Sequence, residues 1–367
     1  MTDADTKSRG TYWTTSRLLI AVLLLLVIGP SMLYAGRRLR VAYHVSQYQT
    51  DTDYYGFEFT PLDPLARFND VDVRVDQTLI VDGGPPPHAI PSLTDPDVIA
   101  IGAMEDMAPD DRVVVVSMNG ETRAYPIAIL ARHEIVNDTM HDSAFAVIFC
   151  PLCDSVSVCD RSIDGVVHEF RVSGLLMHSN VLAYDRADGG VWSQVAGMEA
   201  VCGSSSGSTL RHFDDWSIMS FETAVAEFPN ATIMSFDTGH DRNYDMKAYA
   251  NYLSNDDLIE AFTPAITPDG YLNKTPVIGI KSGDDVRAYV VNSIANGNDG
   301  HLVDTLSNGE RIELAATVDG RVDIIEAPGD AIVMHTYWFA WRAFHPATAV
   351  IGTLPATPAV ATSRPDA

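Results

Sequence analysis

Positive charge is what this sequence has least of. Only 24 Lys and Arg stand against 49 Asp and Glu, and the net charge of −25 over 367 residues gives a pI near 4.5. A nucleic-acid backbone is repelled by such a surface, which excludes nucleic acid as a partner. The same acidity serves as a solubility device in salty surroundings and favours cationic or neutral partners. Cysteine is scarce as well. Four cysteines are too few for a disulfide scaffold, yet Cys150, Cys153 and Cys159 fall within ten residues of one another, the distribution of a site rather than of staples. No phosphate-binding glycine loop, nucleophile elbow or zinc-protease helix occurs, which removes the commonest hydrolase and nucleotide-binding classes.

Charge is also missing from residues 18–35, which run through eighteen apolar or small residues, near the lower limit for crossing a hydrocarbon core of about 30 Å. Leu33 spoils a small-x-small cleavage site ending at Ala35, so a retained single-pass membrane anchor is expected in preference to a cleaved signal peptide. Three basic residues precede it (Lys7, Arg9, Arg17) and three follow (Arg37, Arg38, Arg40), so the positive-inside rule sets no orientation. The long C-terminal part behind an N-terminal anchor points to an extracytoplasmic soluble portion.

What is present is a two-thiol corner. Cys150-Pro151-Leu152-Cys153 closes the apolar run 144–149. Two thiols two residues apart can cycle between dithiol and disulfide, supply half of a metal's ligands, or form a local structural disulfide. Residues 155–161 alternate as a strand does, and 162–165 read as a hairpin turn, so this is not the strand–CxxC–helix arrangement of thioredoxin. Pro151 stiffens the corner. An extended run to Cys159 covers about 20 Å, too far for one zinc, so a metal would need a histidine; copper or zinc through Cys150, Cys153 and His133 is the alternative. Cys159 and Cys202 read as buried apolar side chains.

Around the corner, 113–116 reads as a strand, Asn119-Gly120 as a hairpin turn, Pro126 as the first turn of a helix over 127–132, 166–172 as one half-buried strand, 217–227 as a helix and 231–235 as a short strand. His133-Glu134-x-x-Asn137-Asp138 leads into the cysteine strand, and a helical reading puts His133 and Asn137 on one face. His133 is thus the candidate base or orienting group for the thiols. Glu134, Asn137, Asp138, Trp192, Ser193, Gln194 and Asp237 are the candidate pocket-lining residues. Trp192-Ser193-Gln194 suits a pocket wall, and Asp237-Thr238-Gly239-His240 is an acidic turn at a strand end.

The chain also repeats itself. Residues 113–125 end in Gly-Glu-Thr-Arg-Ala-Tyr and 277–289 in Gly-Asp-Asp-Val-Arg-Ala-Tyr; Asp138-Thr139 and Asp304-Thr305 follow, and Phe228-Pro229 is matched by His345-Pro346. The second copy is shorter and has no cysteines. The expected layout is a tail (1–17), anchor (18–35), stalk and extension (36–110), first half with the cysteine site (111–236), connecting segment (237–274), second half (275–352) and a tail expected to be disordered (353–367). The fold class is a β-rich α+β protein of two related halves behind a transmembrane helix.

Taken in order, Arg123-Ala124-Tyr125-Pro126, His133-Glu134-x-x-Asn137-Asp138-Thr139, Phe149-Cys150-Pro151-Leu152-Cys153, Val172-Ser173-Gly174-Leu175-Leu176, Tyr184-Asp185-Arg186, Trp192-Ser193-Gln194 and Asp237-Thr238-Gly239 resemble a bacterial and archaeal family catalogued as domain of unknown function 3179. The resemblance runs from about Ala89 to Pro346. Selenocysteine at the cysteine motif of some relatives implies a redox or nucleophilic thiol there. His178 departs from the asparagine or tyrosine that the resemblance leads one to expect. The expectation that follows is a membrane-anchored thiol oxidoreductase with an unidentified redox or protein partner. A soft-metal protein and a binding module with a local disulfide remain as alternatives.

Overall fold

Alternating β-branched segments joined by tight turns leave little room for helix. In a computed structural model of the protein, residues 65, 68 and 70–356 are described, apart from 88, 214, 246, 260–268 and 318–320. The expected anchor 18–35, most of the stalk and residues 357–367 lie outside the described residues. Among the described residues no helix exceeds seven residues, and none is long and apolar enough to cross a membrane. The rest is strand and turn, so the chain is a β-rich α+β protein.

The strand Arg112–Met118 carries four consecutive valines. Asn119 and Gly120 both take positive φ (52° and 81°), the geometry of a two-residue hairpin turn, and return the chain as Glu121–Pro126 with Met118 opposite Glu121. Pro126 then stands at the N-cap of the helix Ile127–His133. These strands belong to a five-stranded sheet in which Trp216–Ser220 pairs with Arg112–Met118, and Thr232–Met234 lies parallel to Glu121–Pro126.

The eight-stranded sheet is central. It runs in the order Leu93–Thr94, Ile135–Met140, Ser143–Cys150, Ser155–Asp160, Ile332–Tyr337, Pro276–Ser282, Asp285–Val290, Ala349–Ile351. One face packs on a second five-stranded sheet that includes Phe170–Met177 and Asn180–Asp185. The shared core contains Ile135, Ala146, Ile148, Phe170, Val181 and Trp192, together with Cys150, Cys153 and Cys159.

Three local expectations change. Residues 166–172 are not one strand. Val166–Val167 pairs with Ser162–Ile163, and a new strand starts at Phe170, because the His168 ring turns onto the buried carboxylate of Asp185 at 2.5 Å. Residues 217–220 are strand, not helix: Trp216–Ser220 completes the edge beside the valine strand, and Ser220 Oγ accepts from Thr223 N to start the helix Phe221–Glu227. His133 ends its helix and Asn137 lies on the strand Ile135–Met140, so the two do not share a helix face.

Candidate functional site

The thiol corner is built from a hairpin end. Ser143–Cys150 and Ser155–Asp160 pair down to Cys150 opposite Ser155. Pro151 and Leu152 make the turn, closed by Cys153 N–H donating to Cys150 O at 3.2 Å. Asp154 leaves it with φ 47°. Cys150 and Cys153 are free thiols and fully buried. Both lie on one carbonyl: Ser179 O is 3.6 Å from Cys150 Sγ and 3.3 Å from Cys153 Sγ. That carbonyl comes from the turn between Phe170–Met177 and Asn180–Asp185, where His178 and Ser179 both have positive φ.

The two thiols are unlike. Burial alone raises Cys150, but hydrogen bonds from the Cys153 thiol and from the N–H groups of Val181, Cys153 and Leu152 outweigh it and hold Cys150 below the usual thiol range. Cys153 is pushed well up by burial, by its bond to Cys150 and by the negative charge that Cys150 carries. Asn180 bonds to Cys153 and is itself fixed, its Nδ2 donating to Gln194 Oε1 at 2.8 Å and to Ser155 Oγ at 3.2 Å. Gln194 Nε2 donates in turn to Ile148 O at 2.8 Å. A hydrogen-bonded floor therefore locks the corner from below.

Glu134 completes the group. It follows the helix Ile127–His133 as its C-cap with φ 58°, and its partner across the strands is Phe149, whose N–H donates to Glu134 O at 2.8 Å. Its half-buried carboxyl makes no hydrogen bond or ion pair among the described residues. Burial first, and the charge of Cys150 second, push it up to about 8. A strained backbone, an unpartnered acid and a lowered thiol in one place are the marks of a working site.

His133 is elsewhere. Its Nδ1 lies 2.6 Å from Pro91 O and its Nε2 2.9 Å from Tyr244 OH. A carbonyl only accepts, so Nδ1 carries the proton and Nε2 accepts from the tyrosine. Tyr244 OH is also bonded to Thr238 Oγ1 at 2.5 Å. Burial, opposed by the Pro91 carbonyl and reinforced by His240 and Arg242, lowers His133 to about 4. Both nitrogens are engaged away from the thiols, which leaves Glu134 as the titratable neighbour of Cys150. With His133 so used, no group of three or more His, Cys, Asp and Glu side chains able to hold a metal ion is found among the described residues.

The remaining candidates divide. Gln194 is part of the floor, and Trp192 is a core wall, edge-on to Phe170 at 5.6 Å. Ser193 is buried with its hydroxyl unpaired. Asn137 stitches the two sheets together, accepting from Phe170 N at 2.8 Å and donating to Phe170 O at 2.9 Å. Asp138 is bound by Arg123 Nη1 at 2.8 Å and by Tyr125 OH at 2.7 Å, a buried structural pair. Asp237 is exposed beside Thr238, near the His133 cluster. Cys159 shares the core with the corner thiols and Cys202 sits in another cluster; burial raises both. Ser179, Asn180, Ser155 and Val181 were not singled out by sequence. Ser179 and Val181 act through backbone atoms, which leave no mark on residue identity.

A family model described as a protein of unknown function (DUF3179) matches residues 87–326. The chain belongs to this family. Its matched span includes the whole thiol corner, Glu134 and the Asn180–Gln194 floor. No curated protein and no solved structure matches the chain.

Proposed function

We propose that the protein is a thiol oxidoreductase in which Cys150 is the nucleophile and Cys153 the resolving thiol. The observation that carries this reading is the asymmetry of the pair: backbone N–H groups converge on Cys150 while Cys153 is held as a thiol. A thiolate so stabilised attacks one sulfur of a substrate disulfide, and the other sulfur leaves as a thiolate and takes up a proton. Cys153 then loses its proton to solvent base and attacks the Cys150 sulfur, while Glu134, raised to about 8, stays protonated beside Cys150 at neutral pH. The products are the Cys150–Cys153 disulfide and the second substrate thiol. Full burial of both sulfurs favours a low-molecular-weight disulfide over a folded protein.

The test is trapping. With a small aromatic disulfide, Cys153→Ser accumulates a stable mixed disulfide on Cys150, Cys150→Ser accumulates none, and the wild type ends as the internal disulfide with a midpoint above about −300 mV. Native thiols that react no faster than those of the unfolded chain sink the proposal. Stoichiometric copper or zinc on the thiols, in protein purified without chelator, transfers the site to the metal-binding alternative.

The reading extends to the whole chain. Residues 18–35 would anchor it in a membrane, and removing residues 1–40 should release it from the membrane fraction. The two halves would derive from one duplicated unit, and their pairing supports this. Trp216–Ser220, Arg112–Met118, Glu121–Pro126 and Thr232–Met234 pair in the same order and sense as Ile332–Tyr337, Pro276–Ser282, Asp285–Val290 and Ala349–Ile351. Tyr125 OH donates to Asp138 as Tyr289 OH does to Asp304.

A further inference from the structure

We infer that the protein binds a small uncharged aromatic molecule bearing an amide-like hydrogen-bonding group, in a cavity lined by His335 and Tyr337 of the eight-stranded sheet. The cavity has a volume of about 530 Å³, within the range of roughly 300–1,000 Å³ usual for small-molecule sites. His335 stands opposite Val156 and Cys150 opposite Ser155, so strand alternation puts His335 and Cys150 on opposite faces, while Tyr337 packs against the core that holds both thiols. This site does not depend on the redox reading.

Both halves line it. Ile218 and Met219 come from the strand Trp216–Ser220, Pro276 and Val277 from Pro276–Ser282, His335 and Tyr337 from Ile332–Tyr337, and Asn292 from the helix Val291–Ala295. The aliphatic groups give an apolar wall. The rings of His335 and Tyr337 give a flat one, with His335 seated 5.4 Å from the Trp216 ring.

Both arginines in the wall are already matched. Arg112 holds Asp154 through two bonds of 3.0 and 3.1 Å. Arg321 holds Glu227 through bonds of 2.9 and 3.2 Å and lies 2.8 Å from Asp323. Asp110 is exposed at the rim. An anionic ligand would lose its hydration and find no free counter-charge, and a cationic one would find only Asp110, solvated at the rim.

The unmatched groups are neutral. The imidazole of His335 and the hydroxyl of Tyr337, both half-buried, and the side-chain amide of Asn292, exposed at the mouth, make no hydrogen bond among the described residues. Burial and the nearby Arg112, against the opposing pull of Asp154, lower His335 to about 4, so at neutral pH it offers one N–H and no charge. Each of these groups carries both a donor and an acceptor, which suits an uncharged polar group that can both give and take hydrogen bonds, such as an amide, on a flat apolar body. The wall also touches the thiol corner: Tyr337 N–H and Thr336 Oγ donate to Cys153 O at 2.9 and 3.3 Å.

Three probes of one size and different charge test this on the full chain at pH 7: benzamide, benzoate and benzylammonium, titrated by NMR. Benzamide is expected to bind saturably, at least about tenfold more tightly than either charged probe. Tyr337→Phe and Asn292→Ala should each weaken benzamide several-fold while the melting temperature stays within a few degrees of wild type. Absence of saturable benzamide binding overturns the inference. So does binding of benzoate as tight as that of benzamide, or benzamide binding that both substitutions leave unchanged.

Discussion

Glu134 carries an acid into a half-buried position on a left-handed backbone, and its titration should be visible in stability. Its value of about 8 in the folded protein lies above the ordinary 4.5. The folded state therefore keeps a proton that the unfolded chain gives up between those limits. The stability this proton contributes is complete below about pH 4.5 and is lost as pH rises through 8. In urea unfolding, Glu134→Gln should gain on wild type between pH 5 and pH 9, by an amount on the order of a few kcal/mol. A pH-independent difference would show that Glu134 does not titrate in this range. At this scale the spacing of Cys150 and Cys153 was readable, because side-chain chemistry is written in residue identity. The choice between His133 and Glu134 was not. Adjacent residues diverge here because the helix ends between them, and a turn of that kind is set by what the chain docks against.

Among the elements, the least replaceable contact is at Gly174. Its φ is 76°, and a Cβ there would lie 1.9 Å from Pro85 O. The Gly83 N–H donates to Gly174 O at 2.8 Å, pinning the strand Ile80–Asp82 to Phe170–Met177. Gly174→Ala should cost about 2–4 kcal/mol in denaturant unfolding and open residues 80–90 to limited proteolysis. Unchanged stability would mean that the segment relaxes freely. The valine strand, the Asn119-Gly120 turn and the helix behind Pro126 were legible because each rests on local propensity. Residues 217–220 were misread because their partner, the valine strand, lies a hundred positions earlier in the chain. The break at His168 depends on a buried carboxylate seventeen residues on.

For the whole molecule, the two Arg–Tyr–Asp clusters, at Asp138 and at Asp304, make a comparative prediction. Asp138 is 2% exposed in its side chain and held by Arg123 at 2.8 Å, whereas Asp304 is 23% exposed with Arg287 at 3.9 Å. Asp138→Asn leaves the buried Arg123 guanidinium with Glu121 as its one carboxylate, at 2.7 Å, weakens the acceptor for Tyr125, and should cost about 2–4 kcal/mol. Asp304→Asn loses a partly solvated contact and should cost about 1 kcal/mol. Equal losses in chemical denaturation would show that the two pairs are used alike. The strands Ser155–Asp160 and Ile332–Tyr337 also join in one sheet, by the bridge of His335 to Val156, and His335 lines the cavity beside that join.

The sequence by itself determined the β-rich class, the family, the thiol pair and the repeated Arg-Ala-Tyr and Asp-Thr motifs, because these reside in residue identity, spacing and local propensity. Only the tertiary structure decided which thiol the backbone N–H groups reach, that Glu134 and not His133 lies beside it, and which strands line the cavity. Those outcomes depend on backbone N–H groups, carbonyls and burial brought together from distant segments. Their positions follow from how the sheets pack.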